Sequence, residues 1–219
     1  MRTAAILPIK SFPDAKQRLS NGLAASWRRA LAEAMFSDVL VALRRTPAIN
    51  EIIVVTGDNG AQRIAGGYGA TVIGDSDLGH NVAAYNGALQ ALKSGAERAL
   101  MVPGDCPLLD PKQLAALIER PVGERSVLIV PDRHGTGTNA LLLTPPDVFE
   151  PAFGEGSRQR HVDNAQAAGA VAEVVEVPSL ALDVDTPEDL DQVRDTLACT
   201  HGGAARTRGM LNQMSRSLA

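Results

Sequence analysis

The residues whose spacing best suits chemistry are carboxylates. In SLALDVDTPEDL, residues 179–190, part of the acidity has a local use. Thr186, Pro187 and Asp189 read as a helix start, with Thr as N-cap, Pro at the first helical position and an acid at the third. Glu188 and Asp189 also suit the positive end of the helix dipole. Capping leaves Asp183 and Asp185 unexplained. They are two residues apart, so in an extended segment both point the same way and make an edge for a cation. Asp105, in MVPGDCP, is a third candidate, just past an apolar run, with Gly104 before it to let the backbone turn. Alone, such an Asp has a plain use in capping a turn. With Asp183 and Asp185 it makes an oxygen-only cluster suited to Mg²⁺, which typically takes one or two carboxylates plus substrate phosphates.

The cations lie elsewhere. Lys10, Lys16 and Arg18 share the segment KSFPDAKQRLS, and together they could neutralise a triphosphate. Spacing alone leaves open a solvated surface loop, the usual fate of scattered Lys and Arg. Cys106 has no His nearby in sequence and reads as a small packed residue, not a nucleophile.

These groups must be positioned by alternating elements. Residues 3–9, 51–57, 70–75 and 98–105 are short apolar runs that read as strands. Between them lie helical patterns at 23–45, 61–65 and 78–95, the last closed by Gly95, with another helix opening at Asp110 and Pro111. Such alternation predicts an α/β fold, a parallel sheet covered on both faces. Strand-like runs at 126–132 and 138–146 follow without a helix-length spacer, which predicts an antiparallel element and a mixed sheet. A helix at 156–169, a strand at 170–177 and a helix at 187–198 complete the pattern. One domain is expected over 1–199, followed by a tail at 200–219. Met210, Met214 and Leu218 stand at helical spacing there, so the tail either docks as a short helix or is a mobile end. In such sheets ligands bind beyond the carboxyl ends of the strands, where the Lys10–Arg18 loop and Asp105 would meet.

Bulk composition narrows the function. The 219 residues carry a formal net charge of -4, against broad nucleic-acid binding. The only cysteines, Cys106 and Cys199, lack zinc-ligand spacing, which points to a reducing, cytoplasmic setting. The apolar run near the start is too short for a signal peptide or a membrane span, so no membrane association is expected.

The motif PIKSFPDAKQRLS, with Pro8, Lys10, Ala15, Lys16, Arg18 and Leu19, resembles the start of the 2-phospholactate guanylyltransferases, which make the precursor of the deazaflavin coenzyme F-420. The likeness continues through PGDCPLL, DRHGTGTNALL, FGEGSRQRH and LDVDTPEDL, to about Leu197. The wider nucleotidyltransferase superfamily has a Gly-rich first loop. This chain has the Lys-Lys-Arg version, which favours the deazaflavin subgroup over sugar or molybdopterin enzymes. The resemblance implies a Rossmann-like, nucleotide-diphospho-sugar transferase-like nucleotidyltransferase fold. It implies GTP bound by Pro8, Lys10, Lys16, Arg18 and Asn81, with Lys10, Lys16 and Arg18 catalytic and Mg²⁺ held by Asp105, Asp183 and Asp185. A small phosphorylated carboxylic acid would be held by Thr138, Asn139, Gly154 and Ser157, with Ser157 as the N-cap of a helix whose free N–H groups face the anion. A homodimer is a further expectation. Arg158, Arg160, His161 and His134 read as solvated residues. Where the family has Gly-Leu-Asn, this chain has Gly79, His80 and Asn81; the polar His80 either favours a hydroxylated acceptor such as 3-phosphoglycerate over phosphoenolpyruvate or simply faces solvent. Two rivals stay open: a nucleotidyltransferase for sugar phosphates or the molybdenum cofactor, and a non-catalytic nucleotide-binding regulator.

Overall fold

The computed structural model describes residues 1–20 and 22–218. Its strands are β1 (Thr3–Pro8), β2 (Glu51–Val55), β3 (Thr71–Ile73), β4 (Arg98–Met101), β5 (Ser126–Pro131), β6 (Thr138–Thr144) and β7 (Val171–Val174). They form one sheet in the order β3-β2-β1-β4-β6-β5-β7. The helices are α1 (Ala25–Arg44), α2 (Asn59–Gly67), α3 (His80–Lys93), α4 (Pro111–Ile118), α5 (Ser157–Ala167), α6 (Pro187–Cys199) and α7 (Ala205–Leu218).

The first half has the expected alternation. β1 pairs parallel with both β2 and β4, and β2 with β3. Each strand is an apolar run whose successive side chains serve opposite faces. Ala5, Leu7, Ile52, Val54 and Leu100 pack against α1, α2 and α4, while Ala4, Ile6, Ile53, Val55 and Ala99 pack against the alanine-rich side of α3 and against α5. Helix starts follow the capping residues. The Asp58 carboxylate accepts from Ala61 N, the Asp110 carboxylate from Lys112 N, and Thr186 and Asp189 form a capping box.

Two features position the site. The chain runs outward through β1, β2 and β3, then returns to place β4 on the other side of β1, so the crevice between β1 and β4 is a topological switch point. β6 is antiparallel to both β4 and β5, as its direct connection requires. Its first residues, Thr138 and Asn139, therefore emerge at the edge where the parallel strands end.

A third apolar cluster lies off the sheet. Leu19, Leu31, Met35, Leu182, Val184, Leu190, Val193 and Leu197 pack with Leu211 and Met214 of α7, and Met210 flanks them. The Asp38 carboxylate accepts from Arg206 N at 3.1 Å and Thr207 N at 2.7 Å, holding the first turn of α7 on α1. The side chain of Leu218, named with Met210 and Met214 as a docking residue, lies outside the described side chains. Among the described residues, no helix is long and apolar enough to cross a membrane.

Candidate active site

Three segments meet at the switch point. The segment after β1 makes two short 3-10 turns, Phe12–Asp14 and Gln17–Leu19, and its buried Leu19 anchors it in the third cluster. The loop after β4 carries Asp105. The segment before α6 carries Asp183 and Asp185, and the Val184 amide donates to the Asp105 carbonyl at 3.1 Å. Val184 is fully buried, so its two neighbours face the other way, as the two-residue spacing requires. The Asp189 carboxylate fixes this geometry, accepting from Asp185 N at 2.9 Å and Thr186 N at 2.7 Å and pairing with Arg133 at 2.6 Å. Gly104 differs from expectation. Its φ is not in the left-handed region; a Cβ there would meet Ile9 Cδ1 at 2.4 Å, so it is close packing and not a turn that requires glycine.

Lys16 joins the carboxylates. Its backbone takes the left-handed conformation at φ 57°, and its buried ammonium donates to Asp105 and, at 3.0 Å, to Asp185. Burial alone would lower its pKa, but the Asp105 and Asp185 carboxylates more than offset this and hold it above the usual lysine value. Arg18 is exposed and approaches Asp185 only to 4.0 Å. Burial, then the Asp105 charge, raises the Asp183 carboxyl above its ordinary range, against a hydrogen bond from Asn139. The donor chemistry fits a hard divalent ion: three carboxylates around a point where the protein has gathered excess negative charge. The spacing does not yet enclose one. Among the described residues, no group of three His, Cys, Asp or Glu is set to hold a metal ion, and the Lys16 ammonium stands between Asp105 and Asp185. Cys106 is fully buried, and burial followed by the nearby aspartates pushes its thiol well up, which leaves it inert.

The other wall is built from β6, α3 and α5. The Asn139 amide donates to the Leu180 carbonyl at 2.7 Å and to Asp183 at 3.2 Å, so it ties β6 to the acidic segment. Ser157 is not the N-cap of α5. Gly156, at φ 69°, takes that place, in a conformation that would strain a side chain, and Ser157 becomes the first helical residue. Its hydroxyl is buried without a partner among the described residues. Asn81 is spent on the backbone of Phe153, accepting from its N–H at 2.8 Å and donating to its carbonyl at 3.4 Å. His80 is exposed but packs edge-on to Phe153 with centroids 5.5 Å apart, and the partial desolvation this brings, followed by the Lys10 charge, lowers its pKa.

His161 reverses its expected place. It is fully buried, not part of a solvated face, and the reason is its partners: Thr138 Oγ1 lies 3.0 Å from Nδ1, and Ala152 N–H donates to Nε2 at 3.0 Å. Arg160 is exposed as expected, but its guanidinium clasps the Ala152 and Glu155 carbonyls.

Two hollows open at this edge and share Ile9 and Lys10. One, of about 280 Å³, runs between Pro8, Lys16, Phe36, His80 and Asp105. The other, of about 600 Å³, is lined by Arg29, Arg63, Asp58, Asp75 and Asp77. Sequence reasoning missed this second set. Asp58 caps α2, but Asp75 and Asp77 offer acceptor oxygens of the kind a base with N–H donors needs. Asp75 follows β3, so its place at a strand's carboxyl end was the signal available. The edge brings cationic side chains from the segment after β1 against the carboxylates of Asp105, Asp183 and Asp185, beside two hollows.

A family model described as "Guanylyl transferase CofC like" matches residues 3–218, which reaches into the tail. The chain is 54% identical over 219 residues to a protein of Conexibacter woesei named phosphoenolpyruvate guanylyltransferase, covering 99% of this chain and 98% of that one. It is 36% identical to a Colwellia psychrerythraea protein named 3-phospho-D-glycerate guanylyltransferase, over 87% of this chain and 90% of the other. With a Methanothermobacter thermautotrophicus protein named 2-phospho-L-lactate guanylyltransferase the identity is 31%, over 98% and 92%. Among solved structures, one from Desulfovibrio desulfuricans G20 named for the nucleotide-diphospho-sugar transferases superposes with a TM-score of 0.77 at 17% identity, over 99% of this chain and 96% of that one. That likeness speaks for the fold.

Proposed function

Since the chain belongs to the CofC-like guanylyl transferase family, we propose that it transfers GMP from GTP to the phosphate of a small phosphorylated carboxylic acid, releasing pyrophosphate. An oxygen of the acceptor's phosphate forms a bond to the α-phosphorus as the bond from that phosphorus to the leaving pyrophosphate breaks. The acceptor is largely dianionic at neutral pH, its second pKa being about 6, so no general base is required. The barrier is the meeting of two anions. Lys10, Lys16 and Arg18 lower it by neutralising the triphosphate and the charge on the leaving group. Asp105, Asp183 and Asp185 would hold Mg²⁺, which when bound supplies further charge neutralisation at the phosphates. The acceptor would lie towards Thr138, Gly154 and Ser157, where a buried hydroxyl and the start of α5 favour an anion. Product belongs to the synthesis of the coenzyme F-420 class in this reading.

The observation that carries the proposal is the convergence of Lys16 with Asp105 and Asp185 at the switch point, from positions far apart in sequence. Of the three acids named for its relatives, phosphoenolpyruvate is favoured, through the 54% identical protein. The polar His80 is the feature of this chain that could instead favour 3-phosphoglycerate. The protein should be incubated with GTP, Mg²⁺ and each of phosphoenolpyruvate, 3-phosphoglycerate and 2-phospholactate in turn, with products identified by mass. Pyrophosphate release only when an acid is present supports the enzyme; GTP left intact in all three supports the regulator. The same panel on His80→Leu decides the role of His80, and unchanged preference removes it.

A further inference from the structure

The geometry points to His161 as a positioning residue that turns the hydroxyl of Thr138 into a hydrogen-bond donor for the acceptor acid. The inference rests on the acceptor site proposed above. Ala152 N–H can only donate, so Nε2 of His161 must carry a lone pair, and it receives that proton at 3.0 Å. A neutral imidazole then carries its hydrogen on Nδ1, which donates to Thr138 Oγ1 at 3.0 Å. Burial, then the Arg160 charge, pushes the His161 pKa down to about 4, so the ring is neutral at physiological pH. Thr138 Oγ1 has thereby accepted a hydrogen bond from the protein. Its own proton has no acceptor among the described residues and is aimed away from the ring. Thr138 is half-buried at the start of β6, and Arg158 N–H donates to the Thr136 carbonyl at 3.1 Å, which sets the start of α5 beside it. The unpartnered Ser157 hydroxyl is at that helix start. Packing fixes the imidazole itself: Phe149 stacks on it at 6.0 Å and Phe153 meets it edge-on at 5.1 Å. A hydroxyl held as a donor suits an anionic oxygen and disfavours a ligand group that can only donate.

The two ring nitrogens can be separated by substitution. In His161→Asn the amide N–H can stand near Nδ1 and still donate to Thr138, but the contact to Ala152 is lost. In His161→Gln the amide oxygen can stand near Nε2 and still accept from Ala152 N–H, while the bond to Thr138 is lost. Kinetics with phosphoenolpyruvate, GTP and Mg²⁺ should give a KM for phosphoenolpyruvate raised about tenfold in His161→Gln, the loss expected for one hydrogen bond to a charged group. KM for GTP should not change, and His161→Asn should stay near wild type. The reverse order, with Gln rescuing and Asn failing, would show that His161 only anchors Ala152, and overturns the proposal. If either variant fails to fold, the wild-type tautomer decides, read from long-range ¹H–¹⁵N couplings of the ring. An Nδ1–H tautomer, together with a raised KM for phosphoenolpyruvate in Thr138→Val, supports the proposal; an Nε2–H tautomer overturns it. Wild-type protein that forms no product with any of the three acids is a different failure, that of the guanylyltransferase reading itself.

Discussion

Lys16 and a divalent ion want the same two carboxylates. With its ammonium buried between Asp105 and Asp185, Lys16 stabilises them by pairing, and removing one member of a buried pair leaves charge uncompensated. Lys16→Met should therefore lose about 3 kcal/mol of stability and nearly all turnover. Mg²⁺ should restore part of that stability, raising Tm more in the variant than in the wild type, since the competing ammonium is gone; equal shifts in thermal melts would contradict this. Asp183 behaves in the opposite way. Its carboxyl is raised by burial and by Asp105, so the folded state binds its proton more readily than the unfolded chain does. Stability is then lost as pH rises from the unfolded carboxylate value through the raised folded one. Asp183→Asn removes that charge while keeping an oxygen for the Asn139 amide. It should gain about 0.5–1 kcal/mol at neutral pH and abolish activity, as seen in paired denaturation and turnover measurements. A site that costs stability to keep is the expected mark of a functional carboxylate.

At the scale of elements, the start of α6 serves the site as well as the helix. Thr186 and Asp189 form the capping box that the sequence predicts, but Asp189 also binds the amide of Asp185 and pairs with Arg133. Its carboxyl is worked upward by burial, and more strongly downward by hydrogen bonds from the Thr186 and Asp185 backbone, the Thr186 hydroxyl and the Arg133 charge. A depressed folded pKa contributes stability above the unfolded value, and that contribution is lost as pH falls through the folded one, below about pH 4. Asp189→Asn should cost about 1–2 kcal/mol at neutral pH, the upper range for a cap, and show a shallower loss of stability on acidification. Turnover should fall with it, because Asp185 loses its anchor. Thr186→Ala, which spares the Asp185 bond, should cost about 1 kcal/mol with turnover largely kept. Equal loss of activity in both would mean that helix stability alone matters.

At the scale of the molecule, α7 and the site share one apolar cluster. Leu211 and Met214 pack with Leu31, Met35, Leu190 and Val193, and the same cluster holds Leu19 beside the Lys16 turn and Val184 between the two aspartates. Removing residues 200–219 should uncover that cluster, lower Tm and reduce turnover together, with GTP affinity falling because Leu19 no longer anchors the loop. Full activity in a stable truncated chain would show that α7 is accessory. Asp38→Ala, which frees only the first turn of α7, is the milder test, with an expected loss of about 1–2 kcal/mol.

Sequence alone was enough for the strands, the helix caps at Asp110 and Thr186, and the antiparallel turn of β6, because all of these follow from local periodicity and from side chains that bond their own backbone. It was also enough to set Asp183 and Asp185 on one side of their segment, since two-residue spacing does so wherever the residue between them is buried, as Val184 is. Only the tertiary structure decided what each group faces. Lys16 reaches the carboxylates because the chain reverses at the switch point, a contact between residues 16, 105 and 185 that no local pattern encodes. Gly156 took the cap from Ser157 because a left-handed residue was needed there, and Asp75 and Asp77 joined a hollow through the end of β3. His161 read as one more exposed base on a polar helix. Its burial against Phe149, Phe153 and Thr138 depends on which side of α5 meets the sheet, and packing across distant segments determines that, not the order of residues along the chain.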